Sequence, residues 1–351
     1  MFYLNESISC WEKIKQTALN GKPIVLYGTG NGADKIIDFC EKHNIPLAGI
    51  FVSDEFCRGQ IFRGYKVETY KEIIQRIGKD FLLIIAFASE LPEVLQRFQE
   101  LGKAHTTIAP HLGLYKDENL DEKWFAKHQE ELQQTNAILA DDLSKKVFLD
   151  MLNYKFSGKI HYLFDHVTQR QNDLQLLDLN KDEIYYDLGA YTGDTALEIP
   201  AKARVLVEAD YKNFGKLQSN LPKSDNNILI NAAIWKEEGQ IQFSNQSGRA
   251  ASIYGTKSTP ITSTTIDKIV KETKLVPTYI KMDLEGAEKE ALAGGANTIQ
   301  QYKPKMLIAA YHFNEDIFDI PLLLHQLNPN YQIYLRKHPY VPDWEINFFV
   351  K

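Results

Sequence analysis

In the first part of the chain, short apolar runs alternate with segments whose apolar side chains recur at helical spacing. Three of these runs predict buried strands, at residues 23–27, 47–52 and 81–86. The segments around them predict helices. Strands that alternate with helices are typical of a parallel sheet covered on both faces. We therefore predict a Rossmann-like N-terminal domain at residues 1–118.

The pattern changes after residue 118. Apolar side chains now recur every three or four positions among many charged residues, as far as residue 158. This spacing predicts amphipathic helices. We interpret residues 119–180 as a helical connector. A lid or a dimerisation helix is the alternative, so the possibility of a homo-oligomer stays open.

Residues 181–351 return to alternating strands and helices. The predicted strands are residues 183–187, 203–208, 227–231, 278–283 and 305–311. The predicted helices lie at residues 193–198, 211–220, 287–294 and 318–327. Residues 331–336 and 344–350 predict a closing antiparallel pair. The second domain is therefore an α/β domain with a mainly parallel sheet.

Composition narrows the function classes. The net charge of −6 argues against a nucleic-acid partner or an anionic membrane surface. The three cysteines form no CxxC motif, so neither a disulfide framework nor a cysteine zinc site is indicated. This cysteine usage is typical of a reducing cytoplasm. No signal peptide is recognisable, and the most apolar run is too short to cross a bilayer.

The turn after the strand at residues 183–187 is the most informative segment. It lies where ligands bind in open α/β sheets, beyond the carboxyl end of a strand. Asp187 can accept a hydrogen bond from an ammonium group, and Gly189 lets a ligand approach the backbone closely. Gly193 and Asp194 are expected to begin the next helix, where an acid is favourable.

A second acid follows the next strand. Glu208 lies 21 positions after Asp187 (208 − 187), which suits a carboxylate that accepts two ribose hydroxyls. The turn is a GxxxG preceded by an acid, and its negative charge suits a cationic ligand without phosphate. S-adenosylmethionine therefore fits better than NAD. Residues 231–234 follow the third strand and could border the adenine.

Candidate catalytic groups follow the last two parallel strands. Asp283 would emerge opposite the transferred methyl group, flanked by Lys281 and Glu285. His312 follows the strand that ends at Tyr311, and its neutral imidazole could take a proton near pH 7. Asp283, Glu285 and His312 are the candidates for the base. The same three side chains could hold a divalent ion, although nothing in the sequence requires a metal.

Two further segments are candidates for contacts with the methyl acceptor. Residues 249–252 lie in a Gly/Ser/Thr-rich stretch that could cover the acceptor, although a plain surface loop is the alternative. Arg336, Lys337 and His338 could contact an anionic part of the acceptor, such as a phosphate. A solvated charged face explains these three residues equally well.

Taken together, residues 187–195, 207–209, 231–233, 263–267 and 280–288 resemble the FkbM methyltransferase family. Residues 311–312, 320–321 and 331–336 are similar to a subset of that family. The resemblance covers about residues 180–350. It implies an S-adenosylmethionine-dependent O-methyltransferase with strand order 3-2-1-4-5-7-6, acting on sugars or other secondary metabolites, with polysaccharide biosynthesis as the expected setting. Asp283 would lie near the reacting centre, and the expected cofactor-binding residues are Asp187, Gly189, Ala190, Tyr191, Gly193, Asp194, Thr195, Glu208, Ala209, Asn231, Ala232, Ala233 and Asp283.

The N-terminal domain poses a separate question. Gly28, Gly30 and Gly32 follow a strand but miss the GxGxxG spacing, although Ala33 could replace the third glycine. Asp54 follows the second strand. The domain resembles nucleotide-sugar-binding domains of sugar-modifying enzymes, which favours binding of a nucleotide-linked sugar. A structural role, an NAD(P)-dependent oxidoreductase and a non-enzymatic sugar-nucleotide sensor stay open as alternatives.

Overall fold

The computed structural model describes residues 2–114, 120–221, 224, 226–244 and 258–351. Within these residues the strands form sheets of six, three and seven strands. The six-stranded sheet lies in the N-terminal part of the chain and the seven-stranded sheet in the C-terminal part. We call them the N-terminal and C-terminal sheets.

The N-terminal sheet has the order β3-β4-β2-β1-β5-β6, with only β3 antiparallel to its neighbour. Its strands are β1 (Ile24–Tyr27), β2 (Gly49–Val52), β3 (Ile61–Phe62), β4 (Tyr65–Thr69), β5 (Leu82–Ile85) and β6 (Thr106–Ile108). The helices of this region are α1 (Cys10–Leu19), α2 (Asn31–Lys42), α3 (Tyr70–Ile77) and α4 (Pro92–Ala104). Strands β1, β2 and β5 are completely buried, which explains their continuous apolar runs.

Four helices connect the two sheets: α5 (Glu122–Lys127), α6 (Gln129–Ile138), α7 (Asp142–Ser157) and α8 (Arg170–Asp173). Helix α7 departs from the amphipathic prediction, because residues 150–157 are buried on every side. Two of its buried polar side chains have partners within the protein. Asn153 Nδ2 donates to the main-chain oxygen of Leu149, and Lys155 forms a buried ion pair with Asp343.

The C-terminal sheet contains β7 (Ile184–Leu188), β8 (Ala203–Val207), β9 (Asn227–Ile230), β13 (Tyr279–Met282), β14 (Lys305–Ala309), β15 (Ile333–Lys337) and β16 (Ile346–Val350). The three-stranded sheet contains β10 (Ala233–Ile234), β11 (Gly239–Ser244) and β12 (Ser258–Thr264). The helices of this region are α9 (Tyr211–Asn220), α10 (Ile266–Thr273), α11 (Glu288–Gly294), α12 (Ala296–Tyr302) and α13 (Asp316–Leu327).

The strand order of the C-terminal sheet is β15-β16-β14-β13-β7-β8-β9. Numbered within this sheet and read from β9, the order is 3-2-1-4-5-7-6, as the family resemblance implied. The first five strands are parallel, and the closing antiparallel pair predicted from the sequence is confirmed as β15 and β16. The carboxyl ends of β7, β8, β9 and β13 therefore lie along one edge.

The predicted helix that begins at Gly193 and Asp194 is wrong. Residues 191–198 form consecutive turns instead. Gly193 has a φ of 80°, outside the helical region, and Pro200 follows too soon for a stable helix. An acid at Asp194 therefore has no helix dipole to complement.

One hydrophobic cluster extends through both sheets and the connector, from Val25 through Phe148 to Phe348. The two sheets are therefore joined by packed apolar side chains rather than by a loose linker. Among the described residues, no helix is both long and apolar enough to span a bilayer.

Candidate active site

A cavity of about 990 Å³ opens at the carboxyl ends of β7, β8, β9 and β13. Its wall contains residues that we predicted from four separate segments: Gly189, Tyr191, Asp194, Thr195, Glu208, Ala209, Ala232, Ala233, Lys281, Asp283 and Glu285. Parallel strands place the residues that follow them at the same edge, which explains the convergence. The other predicted residues lie close to this wall and contribute differently.

Asp187 is fully buried, and its partner Lys281 lines the cavity. Lys281 Nζ donates to Asp187 Oδ1 at 3.1 Å and to the main-chain oxygen of Gly189 at 3.3 Å. Burial acts to lower the pKa of Lys281, but the carboxylates of Asp187 and Asp283 outweigh it and raise that pKa. Lys281 thus supplies an ammonium group to one carboxylate oxygen of Asp187, and a hydrogen bond from a ligand's ammonium group to Asp187 stays a prediction.

Gly189 marks a close approach between two strand ends. Its φ is 82°, and a Cβ there would collide with the main-chain oxygen of Asp283. The glycine therefore lets the ends of β7 and β13 meet, a requirement of the fold that exists before any ligand binds. Ala190 is buried behind this turn, and a Cβ at Gly193 would contact Leu217 of α9.

Glu208 lies at the end of β8 with its carboxylate held by the backbone. Oε2 accepts a hydrogen bond from the N–H of Tyr191 at 2.9 Å, and Oε1 accepts one from the N–H of Asp210 at 2.7 Å. Burial raises the pKa of Glu208 to about 7, although these two N–H groups act to lower it. The side chain is thus fixed in position at the cavity wall.

Asn231 supports this region rather than forming the wall itself. Its Nδ2 donates to the main-chain oxygens of Glu208 at 2.8 Å and Ala209 at 3.2 Å. The two alanines that follow, Ala232 and Ala233, face the cavity. The asparagine thus fixes the end of β8, and that the alanines border the adenine stays a prediction.

His312 is buried among carboxylates. Its Nδ1 lies 3.1 Å from Glu288 Oε1, and its Nε2 lies 3.6 Å from both Asp283 Oδ1 and Glu285 Oε2. Burial acts to lower the pKa of His312, but the carboxylates of Glu288, Glu285 and Asp283 outweigh it and raise the pKa to about 10. This shift favours the protonated imidazole, against the prediction of a neutral imidazole that takes a proton near pH 7.

The carboxylates around His312 differ in their access to the cavity. The side chains of Asp283 and Glu285 are 38% and 29% exposed and line the wall, whereas Glu288 is completely buried. Burial raises the pKa of Asp283, although His312 and Lys281 act to lower it. We did not single out Glu288 from the sequence. The available signal was its position at the end of the FkbM-like segment 280–288, in the first turn of helix α11.

The opposite wall of the cavity comes from parts of the chain that sequence reasoning did not connect with the site. The N-terminal segment that ends in α4 contributes Glu90, Pro92, Leu95, Gln96 and Gln99. The connector contributes Phe164, Val167, Gln169 and Arg170. The cavity therefore lies between the C-terminal sheet and the N-terminal part of the chain.

Two of the three cations proposed to contact an anionic acceptor are structural. Arg336 is buried, and its two terminal nitrogens donate to the two carboxylate oxygens of Asp141. Lys337 is also buried, which lowers its pKa to about 7, and it donates to the main-chain oxygens of His338 and Tyr340. Our prediction is wrong for both cations, whereas His338 does line the cavity.

The loop between β15 and β16 projects an aromatic pair into the cavity wall. Tyr340 and Trp344 lie with ring centroids 5.4 Å apart. Two backbone hydrogen bonds join Ser89 to Val341. The buried Asp343 accepts hydrogen bonds from His111 and pairs with Lys155 at 2.9 Å. The loop is therefore fixed to both the N-terminal region and the connector.

The remaining predicted segments lie elsewhere. Residues 249–252 fall outside the described residues. Gly28 and Gly30 lie between β1 and α2, and Gly32 lies in the first turn of α2, where a Cβ would collide with the main-chain oxygen of Ala86. Gly32 therefore allows a close contact between α2 and the end of β5. Asp54 is exposed after β2. Nucleotide binding by this region stays a prediction.

Residues 187–333 match the family model described as the methyltransferase FkbM domain. The chain contains an FkbM methyltransferase domain. The resemblance seen in the sequence is therefore confirmed for these residues. The FkbM domain includes the strand ends that form the sheet side of the cavity, whereas the opposite wall lies outside the match.

Solved structures show how far the fold extends. The crystal structure of methyltransferase FkbM from Methylobacillus flagellatus KT is 18% identical, with a TM-score of 0.70, and the match covers 94% of this chain and 90% of that one. An rRNA methylase from Streptococcus thermophilus matches with a TM-score of 0.33 and 10% identity over 52% and 93% of the two chains. Fibrillarin from Aeropyrum pernix matches with a TM-score of 0.32 and 12% identity, over 52% of this chain and 74% of that one. No curated protein matches the sequence.

The first of these similarities extends beyond the FkbM domain. Because it covers nearly the whole chain, the N-terminal sheet and the connector share that fold as well. The chain therefore has a mixed α/β methyltransferase-like fold.

Proposed function

We propose that the protein is an S-adenosylmethionine-dependent methyltransferase that methylates a hydroxyl group of a sugar or a glycan-linked acceptor. The observation that carries the proposal is that the strand ends of an FkbM domain surround one cavity, with Glu208 at the end of β8 and Asp283 at the end of β13. Bound S-adenosylmethionine supplies a methyl group already activated by a positively charged sulfur.

The wall around Glu208 fits such a cofactor. The Glu208 carboxylate, fixed by two backbone N–H groups, can accept hydrogen bonds from ribose hydroxyls. The turn with Tyr191, Asp194 and Thr195 would hold the amino-acid part, and the small side chains of Ala232 and Ala233 leave room for a flat base. We propose that Asp187 acts indirectly, by fixing Lys281. The cavity is at the upper end of ordinary ligand sites, which suits a cofactor together with an acceptor.

Asp283 and Glu285 are the proposed proton acceptors. Methyl transfer to a hydroxyl releases one proton, and a carboxylate within reach can take it. Both side chains are partly exposed at the cavity wall, whereas the surrounding carboxylates raise the pKa of the buried His312 and favour its protonated form. Lys281, a fixed cation beside Asp283, would stabilise the ionised form of that carboxylate.

We infer that the acceptor binds against the wall opposite the sheet. Tyr340 and Trp344 offer aromatic faces, and Gln96 and Gln99 offer amides. Aromatic faces pack against the C–H face of a sugar ring, and amides both donate to and accept from hydroxyls. In this proposal the N-terminal domain (1–118) and the connector (119–180) shape the acceptor site of the methyltransferase domain (181–351).

The proposal is tested by incubating the protein with methyl-labelled S-adenosylmethionine and a fractionated extract of glycans and sugar nucleotides. We expect label in a carbohydrate fraction, and none with the variant Glu208→Ala. Calorimetry with S-adenosylhomocysteine gives an independent readout, because it needs no acceptor. Absence of binding to the wild type, or equal binding to Glu208→Ala, would contradict the proposal.

A further inference from the structure

The cluster of carboxylates around His312 carries an inference beyond methyl-donor binding. Asp283, Glu288 and His312 each present one ligand atom, and these atoms lie within 4.8 Å of one another. Ligands around one divalent ion at bond lengths near 2.1 Å are separated by about 3 to 4.3 Å. The spacing of the cluster is close to that range, so small side-chain movements would complete a coordination shell.

The buried side of the cluster contains polar atoms that lack a protein partner. Among the described residues, His312 Nε2 and Glu288 Oε2 are buried without a hydrogen bond, although both side chains are completely enclosed. Buried polar atoms of this kind are normally bonded to protein, water or an ion. His312 Nε2 is directed toward Asp283 and Glu285, each 3.6 Å away.

The net charge of the cluster around His312 also favours a bound cation. Three carboxylates, at residues 283, 285 and 288, surround one imidazole. Lys281, whose charge acts on Asp283, already pairs with the buried Asp187. Even a protonated imidazole therefore leaves the cluster negative, and buried negative charge is costly unless a cation compensates it.

We propose that Asp283, Glu288 and His312 bind a divalent cation, such as Mg²⁺ or Mn²⁺, in the wall of the cavity. Carboxylate oxygens suit these hard ions, and imidazole adds affinity for Mn²⁺. The ion replaces the proton on one imidazole nitrogen, which is released to solvent, and the other nitrogen keeps its N–H and faces a carboxylate that can accept it. Such a pairing fixes the orientation of metal-binding histidines in proteins.

The site is open on one side. Glu288 and His312 close it toward the interior, whereas Asp283 faces the cavity. The coordination positions of the ion that no protein ligand occupies therefore face the cavity. If the proposed methyltransferase function is correct, on which this role rests, the ion binds the acceptor hydroxyl and favours its loss of a proton. Asp283 then serves as a ligand, and Glu285 remains as the proton acceptor.

Metal binding is tested without any substrate, by titrating the protein with Mn²⁺ and measuring free Mn²⁺ by electron paramagnetic resonance. We expect one bound ion per chain and nitrogen modulation in the spin-echo signal of the bound ion. Glu288→Gln should weaken binding at least tenfold, and His312→Gln should also abolish the nitrogen modulation. Glu288→Gln can still accept the N–H of Leu284, so we expect it to fold.

The matched control is Glu290→Gln, which changes an acid on the same helix that pairs with Lys236 outside the cluster. It should bind Mn²⁺ like the wild type. Absence of binding at millimolar Mn²⁺, or wild-type affinity in Glu288→Gln, would show that the cluster is a metal-free ion-pair network and would overturn the proposal. Calorimetry with S-adenosylhomocysteine separates the two proposals, because it reports on the cofactor side of the cavity alone.

Discussion

Lys281 and Asp187 are register partners on the neighbouring strands β13 and β7, and their charged groups lie 3.1 Å apart. Register partners on adjacent strands project to the same face of the sheet, which explains the contact. The pair places one cation at the edge of the cavity and fixes it to the strand that precedes the Gly189 turn. It therefore links the two strand ends that the site requires.

Removing the cation of this pair should destabilise the protein. In Lys281→Met, Asp187 would stay completely buried without its partner, which costs about 3–5 kcal/mol. Denaturant unfolding measures the loss. Lys289→Met removes a half-exposed pair with Asp319 and should cost less than about 1 kcal/mol. Equal losses of unfolding free energy in the two variants would show that the buried pair stabilises the protein no more than the exposed pair does.

Cofactor affinity should depend on pH through Glu208. Its pKa of about 7 means that the carboxylate is protonated below neutrality and ionised above it. The ionised form accepts hydroxyl donors, so affinity for S-adenosylhomocysteine should fall by up to about tenfold per pH unit below pH 7 and level off above it. Calorimetry from about pH 5.5 to about pH 8.5, roughly one and a half units on either side of that pKa, covers the transition.

The control for this dependence is Glu208→Gln, which keeps the shape of the side chain but cannot ionise. We expect it to bind weakly and with a flat pH profile. A sloping profile in Glu208→Gln would assign the titration to another group.

Gly189 should not tolerate a side chain. Alanine would need a φ of 82° and would collide with Asp283, so Gly189→Ala should lose about 2–4 kcal/mol of stability. Gly215→Ala is the matched control, because Gly215 lies in helix α9 with open space around it. That change should be neutral or stabilise by up to about 1 kcal/mol. The denaturant midpoints of both variants measure these two changes in stability.

The aromatic pair should affect the acceptor and not the cofactor. Trp344→Ala removes one of the two rings at the cavity wall, so we expect the KM for the acceptor to rise about tenfold, which corresponds to about 1.4 kcal/mol. The dissociation constant of S-adenosylhomocysteine should stay unchanged. Tyr302→Ala, at an exposed ring on α12, is the control. A parallel loss of cofactor binding in Trp344→Ala would argue against an acceptor role.

The sequence identified the central strands because these strands are covered on both faces. Residues 81–86, for example, form a continuous apolar run, and the structure places β5 within it. Strand β4 was missed because only its central residue, Val67, is buried, so it contains no apolar run. The helix expected at Gly193 failed because local backbone geometry and the nearby Pro200 determine that segment.

The site was predictable only as far as it lies within the FkbM motifs. Position along the chain placed His312 at a strand end, but its protonation depends on acids from another segment, Glu288 among them. The sequence does not reveal that Gln96 and Gln99 line the cavity, since glutamines on a solvent-exposed helix face give the same sequence pattern. Tertiary packing alone decides which of them meet the cavity.

The two sides of the cavity are encoded in separate stretches of the chain. The sheet side belongs to residues 187–333, whereas the segment that ends in α4 lies almost a hundred residues upstream, and Trp344 lies beyond the match. Under the proposed function, substitutions upstream can change which molecule is modified while leaving the reactive chemistry intact. Selection can thus diversify the methylated products by changing the upstream wall of the cavity while the sheet side stays the same.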